Sequence, residues 1–432
     1  MKSQFQILPN PKQGKQTKND DGMKLKSCIK GYKKGTHRAV PPEETLARIE
    51  PKMPAAGVTR VADITGLDRI GIPVFSSIRP TAERGAVSVY NGKGTTAEEA
   101  RVSAMMEAVE RYSAEVHEMK LLVDSYSRLS EKENVLNPND LILPDYVKNV
   151  EEVRVPWVKG YDLIQKEKIY VPANAVFHPL PSRYDRVRLF RTNTNGLAAG
   201  NEMEEAIFHG LAEVVERDAW SLVEITRNTG VVVKIKEEGI RVLQAKFSDA
   251  DISLLIRDIT SDVCVPTFAA VSDDLMLRDP ALLTIGMGTH TNAEVAVKRA
   301  LTEVAQSRLT QIHGAREDTT TADVRRIMGY EWMRKRNEHW FATSEKKDFE
   351  TVDSFSSDSD DFLDDIKYTV ERIRGAGLER VVVVDLTREE IGMPVVRVIV
   401  PGLEMYAVDG DRIGRRCKDA RKKSGRVPGT ES

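Results

Sequence analysis

Three times along its 432 residues the chain sets a glycine-containing turn before a long, largely apolar helix that carries one narrow polar stripe. The turns are NGKG, NGLAAG and GMG; the helices that follow contain SAMMEAVERYS, HGLAEVVERDA and RALTEVAQSR. In the first helix Ser103, Glu107 and Glu110 share a stripe at about 100° per residue, while Ala104, Met105, Met106, Ala108 and Val109 cover most of the remaining circumference. In the second, Glu213 and Glu216 precede Arg217 among Ile207, Phe208, Leu211, Val214 and Val215. In the third, Glu303 and Gln306 precede Arg308 among Ala300, Leu301, Val304 and Ala305. Like charges at i,i+3 repel, and burying either one unpaired costs on the order of several kcal/mol. Something cationic must face each stripe.

An ordinary amphipathic helix would turn such glutamates to water, but these helices leave too little polar surface for a solvated face. The other solution is a pocket where carboxylates from separate helices converge on hard cations. No histidine sits at i+3 of either Glu pair, and the seven histidines show no zinc spacing. Oxygen-only ligands favour Mg²⁺, which carboxylates usually share with phosphates. Arg111, Arg217 and Arg308 suit phosphate oxygens. The residues therefore point to a nucleoside triphosphate clamped by Mg²⁺. NGKGTT is not a P-loop, because Val87 stands where its first glycine belongs and Gly94 follows Lys93 in place of Ser or Thr. GMGTHT is an incomplete dinucleotide fingerprint. The glycine turns are expected to bring backbone N–H groups toward phosphate, or to let the chain pass close to it. Lys93 reads equally as a phosphate contact or as an exposed turn lysine.

The remaining sequence bounds this picture. Hydrophobic residues make up 41% and charged residues 30%, with a formal charge of -2, so neither nucleic acid nor a membrane surface is expected as a bulk partner. No apolar run reaches the roughly 18 residues of a membrane span. Cys28, Cys264 and Cys417 are too few and scattered for a disulfide framework, and a reducing cytoplasm fits best. Cys28 and Cys264 read as inert thiols, and His290 as a loop hydrogen-bonder. Residues 1–22 are polar and read as a disordered extension. Residues 23–411 form the folded domain, with repeat-like units around 85–116, 168–226 and 252–312. Strands are expected at GAVSVYNGKG, KIYVPANAVF, DISLLIRDIT, VPTFAAVSDD, RVVVVDLT and VVRVIVP. The stretch 314–365 is a charged insertion whose DSFSSDSDDFLDD segment (353–365) reads as a mobile acidic linker, and 412–432 as a basic, solvated tail. The class is mixed α/β, with helix units packed on β-sheet.

These motifs resemble the YcaO enzymes. Ser103, Glu107, Glu110 and Arg111 match the family's Ser-x3-Glu-x2-Glu-Arg signature. NGLAAGNEMEEAIFHGLAEVVER matches its second block, and RALTEVAQSR its third. KKGTHRAVPPEET resembles its N-terminal nucleotide contacts. The resemblance spans roughly residues 30–405 and implies a YcaO-type fold with ATP and Mg²⁺ bound between the pseudo-repeated units. It implies metal ligation by Glu107, Glu110, Glu205, Glu213 and Glu216. It implies nucleotide or phosphate contacts at Arg38, Thr45, Ser103, Arg111, Asn201, Arg217, Gln306 and Arg308. Some relatives have Ser where Ala198 stands, which removes one hydroxyl contact.

The resemblance further implies ATP-driven activation of a peptide backbone amide. A side-chain nucleophile gives an azoline, sulfide a thioamide, and an amine an amidine. Azoline-forming members often end in a PxPxP tail, whereas this chain ends RVPGTES with no fused peptide-clamp module in view. KGTHR, GVTRVADITGLDRIGIPVF and IVPGLE are similar to the archaeal type of methane producers. That similarity implies thioamidation of a glycine in the methyl-coenzyme M reductase α subunit, a TfuA-like sulfur-delivery partner, and a homodimer. An azoline cyclodehydratase and a non-catalytic ATP-binding accessory remain the alternatives.

Overall fold

The computed structural model describes residues 22–425 other than 118, 120, 185, 186, 318–320, 344, 345 and 353–355. The expected disordered extension therefore lies outside the described residues except for Gly22, as do the last seven residues of the tail.

Helix α1 (Pro42–Ile49) leads into strands β1 (Arg60–Asp63), β2 (Val74–Ile78) and β3 (Val89–Lys93), an antiparallel sheet ordered β1-β2-β3. Helix α2 (Ala97–Ala114) then packs back over β3 and β2. Thr96 starts it with a capping box: its side chain accepts from the Glu99 N–H, and the Glu99 carboxylate accepts from the Thr96 N–H. Strands β4 (Leu122–Asp124), β5 (Val155–Asp162), β6 (Glu167–Pro172) and β7 (Leu197–Ala199) enter a second sheet, followed by helix α3 (Met203–Thr226). A third sheet takes β8 (Val231–Lys234), β9 (Ser253–Asp258), β10 (Thr267–Asp273), β11 (Thr284–Thr289) and β12 (Lys346–Asp348). Helices α4 (Glu238–Asp249) and α5 (Ala293–His313) interleave with it. Its order is β11-β10-β9-β8-β12, antiparallel except at β12 beside β8. After helix α6 (Phe362–Gly375), strands β13 (Val382–Asp385) and β14 (Val395–Ile399) return to the second sheet, ordered β4-β5-β13-β14-β7 with β6 on β5. Helix α7 (Arg415–Lys423) follows.

The second sheet lends a core to two of the acidic helices and the third sheet to the other, while α2 also lies over the first sheet. Met105, Met106 and Val109 of α2 pack with Trp157, Val171 and Val384. Val297, Leu301 and Val304 of α5 pack with Phe247, Phe268 and Ala270. Ile207, Phe208, Leu211 and Val215 of α3 pack with Phe362, Val383 and Val396. The apolar residues around each stripe are thus consumed on every side but one, and the polar stripes face a shared interior. Among the described residues no helix is long and apolar enough to cross a membrane.

Four local expectations change. NGKG and GMG are not open turns, since Gly92 lies in β3 and Gly288 in β11. A Cβ on Gly92 would sit 1.9 Å from the Ala104 nitrogen, and one on Gly288 2.0 Å from the Ala296 oxygen. These glycines let a helix lie directly on its strand. The strand expected over KIYVPANAVF ends at Pro172, where a single turn, Ala173–Ala175, begins. Of the expected acidic linker, residues 353–355 lie outside the described residues, but from Ser356 onward it is folded. The Ser356 hydroxyl accepts from the Ala293 N–H at 3.1 Å, Asp361 caps α6, and fully buried Asp365 pairs with Lys30 at 2.5 Å. The expected solvated tail is docked as α7: Cys417 is buried, and Arg416 forks onto Asp218 at 2.9 and 2.8 Å.

Candidate active site

The stripes of α2, α3 and α5 line one cavity of about 750 Å³. Helix α2 contributes Ser103, Glu107, Glu110 and Arg111, and α3 contributes Glu205, Glu213, Glu216 and Arg217. Helix α5 adds Gln306, while Asn201 precedes α3 and Arg38 and Thr45 come from the N-terminal segment and α1. All five predicted metal ligands and seven of the eight predicted nucleotide contacts therefore surround the same space.

Arg308 does not. It is fully buried, with Nε 2.8 Å from Asp68 and Nη2 3.0 Å from Asp274, where it bolts α5 to the first sheet and to β10. The expected phosphate contact is corrected by helix geometry: Arg308 follows Glu303 by five residues, about 140° away from its face, whereas Arg111 and Arg217 follow Glu107 and Glu213 by four. The position on the right face is Arg299, four residues before Glu303, and it lines the cavity. That spacing was the available signal. Lys93 also resolves, reaching from β3 to pair with Glu303. His209 and Glu99 line the cavity too, and neither belonged to an acidic pair that would have marked it.

The carboxylates are held by a mixture of backbone and cationic partners. Glu107 accepts from Arg111 Nε at 2.9 Å, and Glu110 from the Ala199 N–H at 2.8 Å, which joins α2 to β7. Arg217 stands 3.9 Å from Glu213 and 3.6 Å from Glu216. Glu205 accepts from the Ala39 N–H at 3.0 Å and lies 3.7 Å from Arg38 Nε. The Thr45 hydroxyl donates to Asn201 Oδ1 at 3.0 Å, and Asn201 Nδ2 donates to Glu205 at 3.3 Å. Gln306 donates to the Asn91 carbonyl, tying α5 to β3.

Burial and mutual repulsion divide these acids. Burial pushes Glu110 well above the usual carboxylate range, helped by Glu107 beside it. Burial also lifts Glu213 to about 7 against the pull of Arg217, and lifts Glu216, with Glu303 adding to the rise. Glu107 and Glu303 are desolvated too, but Arg111 and Lys93 respectively win and hold them low. Glu110, Glu213 and Glu216 thus favour their protons in spite of the neighbouring cations, and a divalent ion would take the place of those protons. The donors are oxygens throughout, which fits Mg²⁺. Among the described residues no three acidic, His or Cys side chains form a ready-made cage for one ion. An arrangement of this kind leaves coordination positions to phosphate oxygens.

Known proteins share this fold. Residues 91–404 match the family described as YcaO cyclodehydratase, ATP- and Mg²⁺-binding. An uncharacterized protein of Methanothermobacter thermautotrophicus is 52% identical over 387 residues, which is 89% of this chain and 99% of that one. An uncharacterized protein in the tfuA 3′ region of Rhizobium leguminosarum bv. trifolii is 32% identical, covering 88% and 92%. Among solved structures, YcaO from Methanopyrus kandleri bound with AMPPCP and Mg²⁺ superposes with a TM-score of 0.76 at 32% identity, covering 90% of this chain and 98% of that one. The acidic stripes, the sheet-backed helices that carry them and these relatives agree: the chain belongs to the YcaO family.

Proposed function

We propose that the cavity binds Mg²⁺–ATP and that the protein uses it to convert a peptide backbone amide into a thioamide, with hydrosulfide as the nucleophile. The observation that carries this reading is the meeting of acidic stripes from three helices in one cavity, each beside an arginine or lysine. Glu107, Glu110, Glu205, Glu213 and Glu216 would hold the ions, and Arg111, Arg217 and Arg299 the phosphates. Thr45, Ser103, Asn201 and Gln306 supply neutral hydrogen bonds to the nucleotide, with Arg38 beside Glu205. Bound Mg²⁺ neutralises charge on the transferring phosphoryl group. The chain's own contribution is positioning and fixed charge, the usual means of catalysis in phosphoryl transfer.

The overall change balances. A C–S bond forms at the amide carbon, the amide oxygen leaves as phosphate carrying the γ-phosphoryl group, and ADP is released. The hydrosulfide proton ends on phosphate. The tfuA 3′-region relative supports sulfur chemistry, and the resemblance to the archaeal type points to a glycine of the methyl-coenzyme M reductase α subunit as substrate. A TfuA-like protein would deliver the sulfur, and a homodimer is part of the same reading. The family description as cyclodehydratase favours a second reading, azoline formation.

The test is to incubate the full chain with ATP, Mg²⁺, sulfide and a glycine-containing peptide from that subunit, with and without a TfuA-like protein, and to weigh the product. Exchange of oxygen for sulfur with one ADP per product is expected. Loss of water without sulfur gain would establish the azoline reading, and nucleotide binding without turnover in any mixture would make the protein an accessory.

A further inference from the structure

A second, smaller cavity of about 50 Å³ adjoins the first. The segment between them sends Thr194 and Leu197 to the large cavity and Asn193 and Asn195 to the small one. Two guanidiniums line it: Arg397 from β14 and Arg412 from the loop ahead of α7, each only 4% exposed. Arg397 donates from Nε to the Ala175 carbonyl at 3.0 Å and from Nη2 to the Asn193 carbonyl at 2.8 Å; its Nη1 is buried with no partner. Arg412 donates from Nε to the Ile142 carbonyl at 2.7 Å and from Nη2 to the Leu141 carbonyl, and lies 4.0 Å over the Phe190 ring.

Every hydrogen-bond acceptor these two arginines have among the described residues is neutral. Asp409 and Glu404 are the acids nearest Arg412, but Asp409 accepts from the Asp411 N–H at 3.3 Å and Glu404 spends both carboxylate oxygens on the N–H groups of Gly414 and Cys417, each at 2.8 Å, so neither pairs with the guanidinium. Asp140 lies exposed at the rim, and Glu213 belongs to the large cavity. Burial pushes both guanidiniums down to about 10, with Arg412 adding to the effect on Arg397. Arg308, equally buried, has two aspartates. A buried cation without a counter-charge is costly, and an anion in the cavity removes that cost. The volume exceeds the roughly 10–15 Å³ needed to hold one water and is a small fraction of the large cavity, so a small ion fits and a nucleotide does not.

We propose that this cavity binds one small monovalent anion, a halide or hydrosulfide, held by Arg397 Nη1 and Arg412. Should the occupant be hydrosulfide, an assignment that rests on the thioamide reading, the site would stage the nucleophile beside the nucleotide cavity.

Crystals of the full chain grown in sodium bromide provide the test. An anomalous bromide peak between the two guanidiniums is expected, and ordered water alone at that position overturns the site. In solution, replacing gluconate by bromide at constant ionic strength should raise the unfolding midpoint. Arg412→Gln should bind bromide about tenfold more weakly and lose most of that rise. Arg412→Lys, which keeps a charge, should retain part of it, and equal midpoints in both salts for the parent protein would argue against binding. In the thioamidation assay bromide should then raise KM for sulfide and leave AMPPCP binding unchanged. If bromide binds in the crystal but KM does not move, the site is a halide site, and the thioamide reading stands or falls by its own product.

Discussion

At the residue scale, Arg308 and Arg299 show how one helix can mix structural and functional arginines about two and a half turns apart, on opposite faces. Arg308 is sealed with Asp68 and Asp274, all three nearly inaccessible. Removing it strips buried Asp68 of its ion-pair partner and leaves Asp274 with Arg69 alone, so Arg308→Met should destabilise the fold by about 3–5 kcal/mol in urea denaturation. The folded fraction should still bind AMPPCP–Mg²⁺ with the parent affinity by calorimetry. Arg299→Ala should do the reverse: the urea midpoint changes little, while affinity for the same ligand drops about tenfold or more. Equal effects of the two variants on binding would undo the division. The motif AQSR could be read as parallel to VER in the other two helices because each carries an arginine just after its Glu or Gln, but Arg308 stands one residue later than Arg111 and Arg217, and that shift rotates the side chain by about 100°. Most of the site was legible because its glutamates sit at i,i+3 among apolar neighbours. Arg299 escaped because its signal is a four-residue spacing that places the arginine before its glutamate, the reverse of the other two helices, and His209 because a single histidine on a helix carries no pattern of its own.

At the element scale, the same strand-then-helix unit recurs three times, and its glycines serve packing. A glycine in sequence signals either a left-handed backbone or a close approach, and NGKG or GMG does not say which. At Gly288 it is close approach, since an added methyl would meet the backbone of α5 at 2.0 Å. Neither partner is a flexible side chain, so Gly288→Ala must push α5 off β11. A loss of about 1–3 kcal/mol is expected in chemical denaturation, together with weaker AMPPCP binding, because α5 carries Glu303 and Gln306. Unchanged stability would mean that α5 has room to shift. Composition misjudged two other elements for one shared reason. DSFSSDSDDFLDD and the basic tail look solvated locally, but Asp365 finds Lys30 near the other end of the chain and Arg416 finds Asp218 198 residues away. Local charge density carries no information about partners so distant.

At the scale of the whole molecule, the N-terminal segment binds the pieces together, and it does so over a buried histidine cluster. Cys28 N–H donates to Asp361 before α6, Ala39 N–H donates to Glu205 on α3, and the His37 ring meets His290 edge-on at 4.8 Å beside α5. Lys30, Lys33, Arg38 and Arg299 surround these rings, with His209 close to His290, and Asp358 and Asp360 oppose them at His37. Burial, then Lys30, pushes His37 down to about 3, so it is neutral in the fold at any pH where the unfolded chain would take up a proton. Between about 6.5 and 3 the unfolded state binds more protons, and stability from this group is full above 6.5 and is lost as pH falls. The raised carboxylates, Glu213 foremost, act with the opposite sign, since the fold keeps their protons above the unfolded carboxylate range. The net curve mixes both, so the histidine share is read by difference. The stability of the parent relative to His37→Asn should fall by about 1.4 kcal/mol for each pH unit between 6.5 and 4.5 in denaturant titrations. Parallel curves for parent and variant over that range would show that His37 takes up its proton without unfolding, and that the strap across the three helices is looser than its contacts imply.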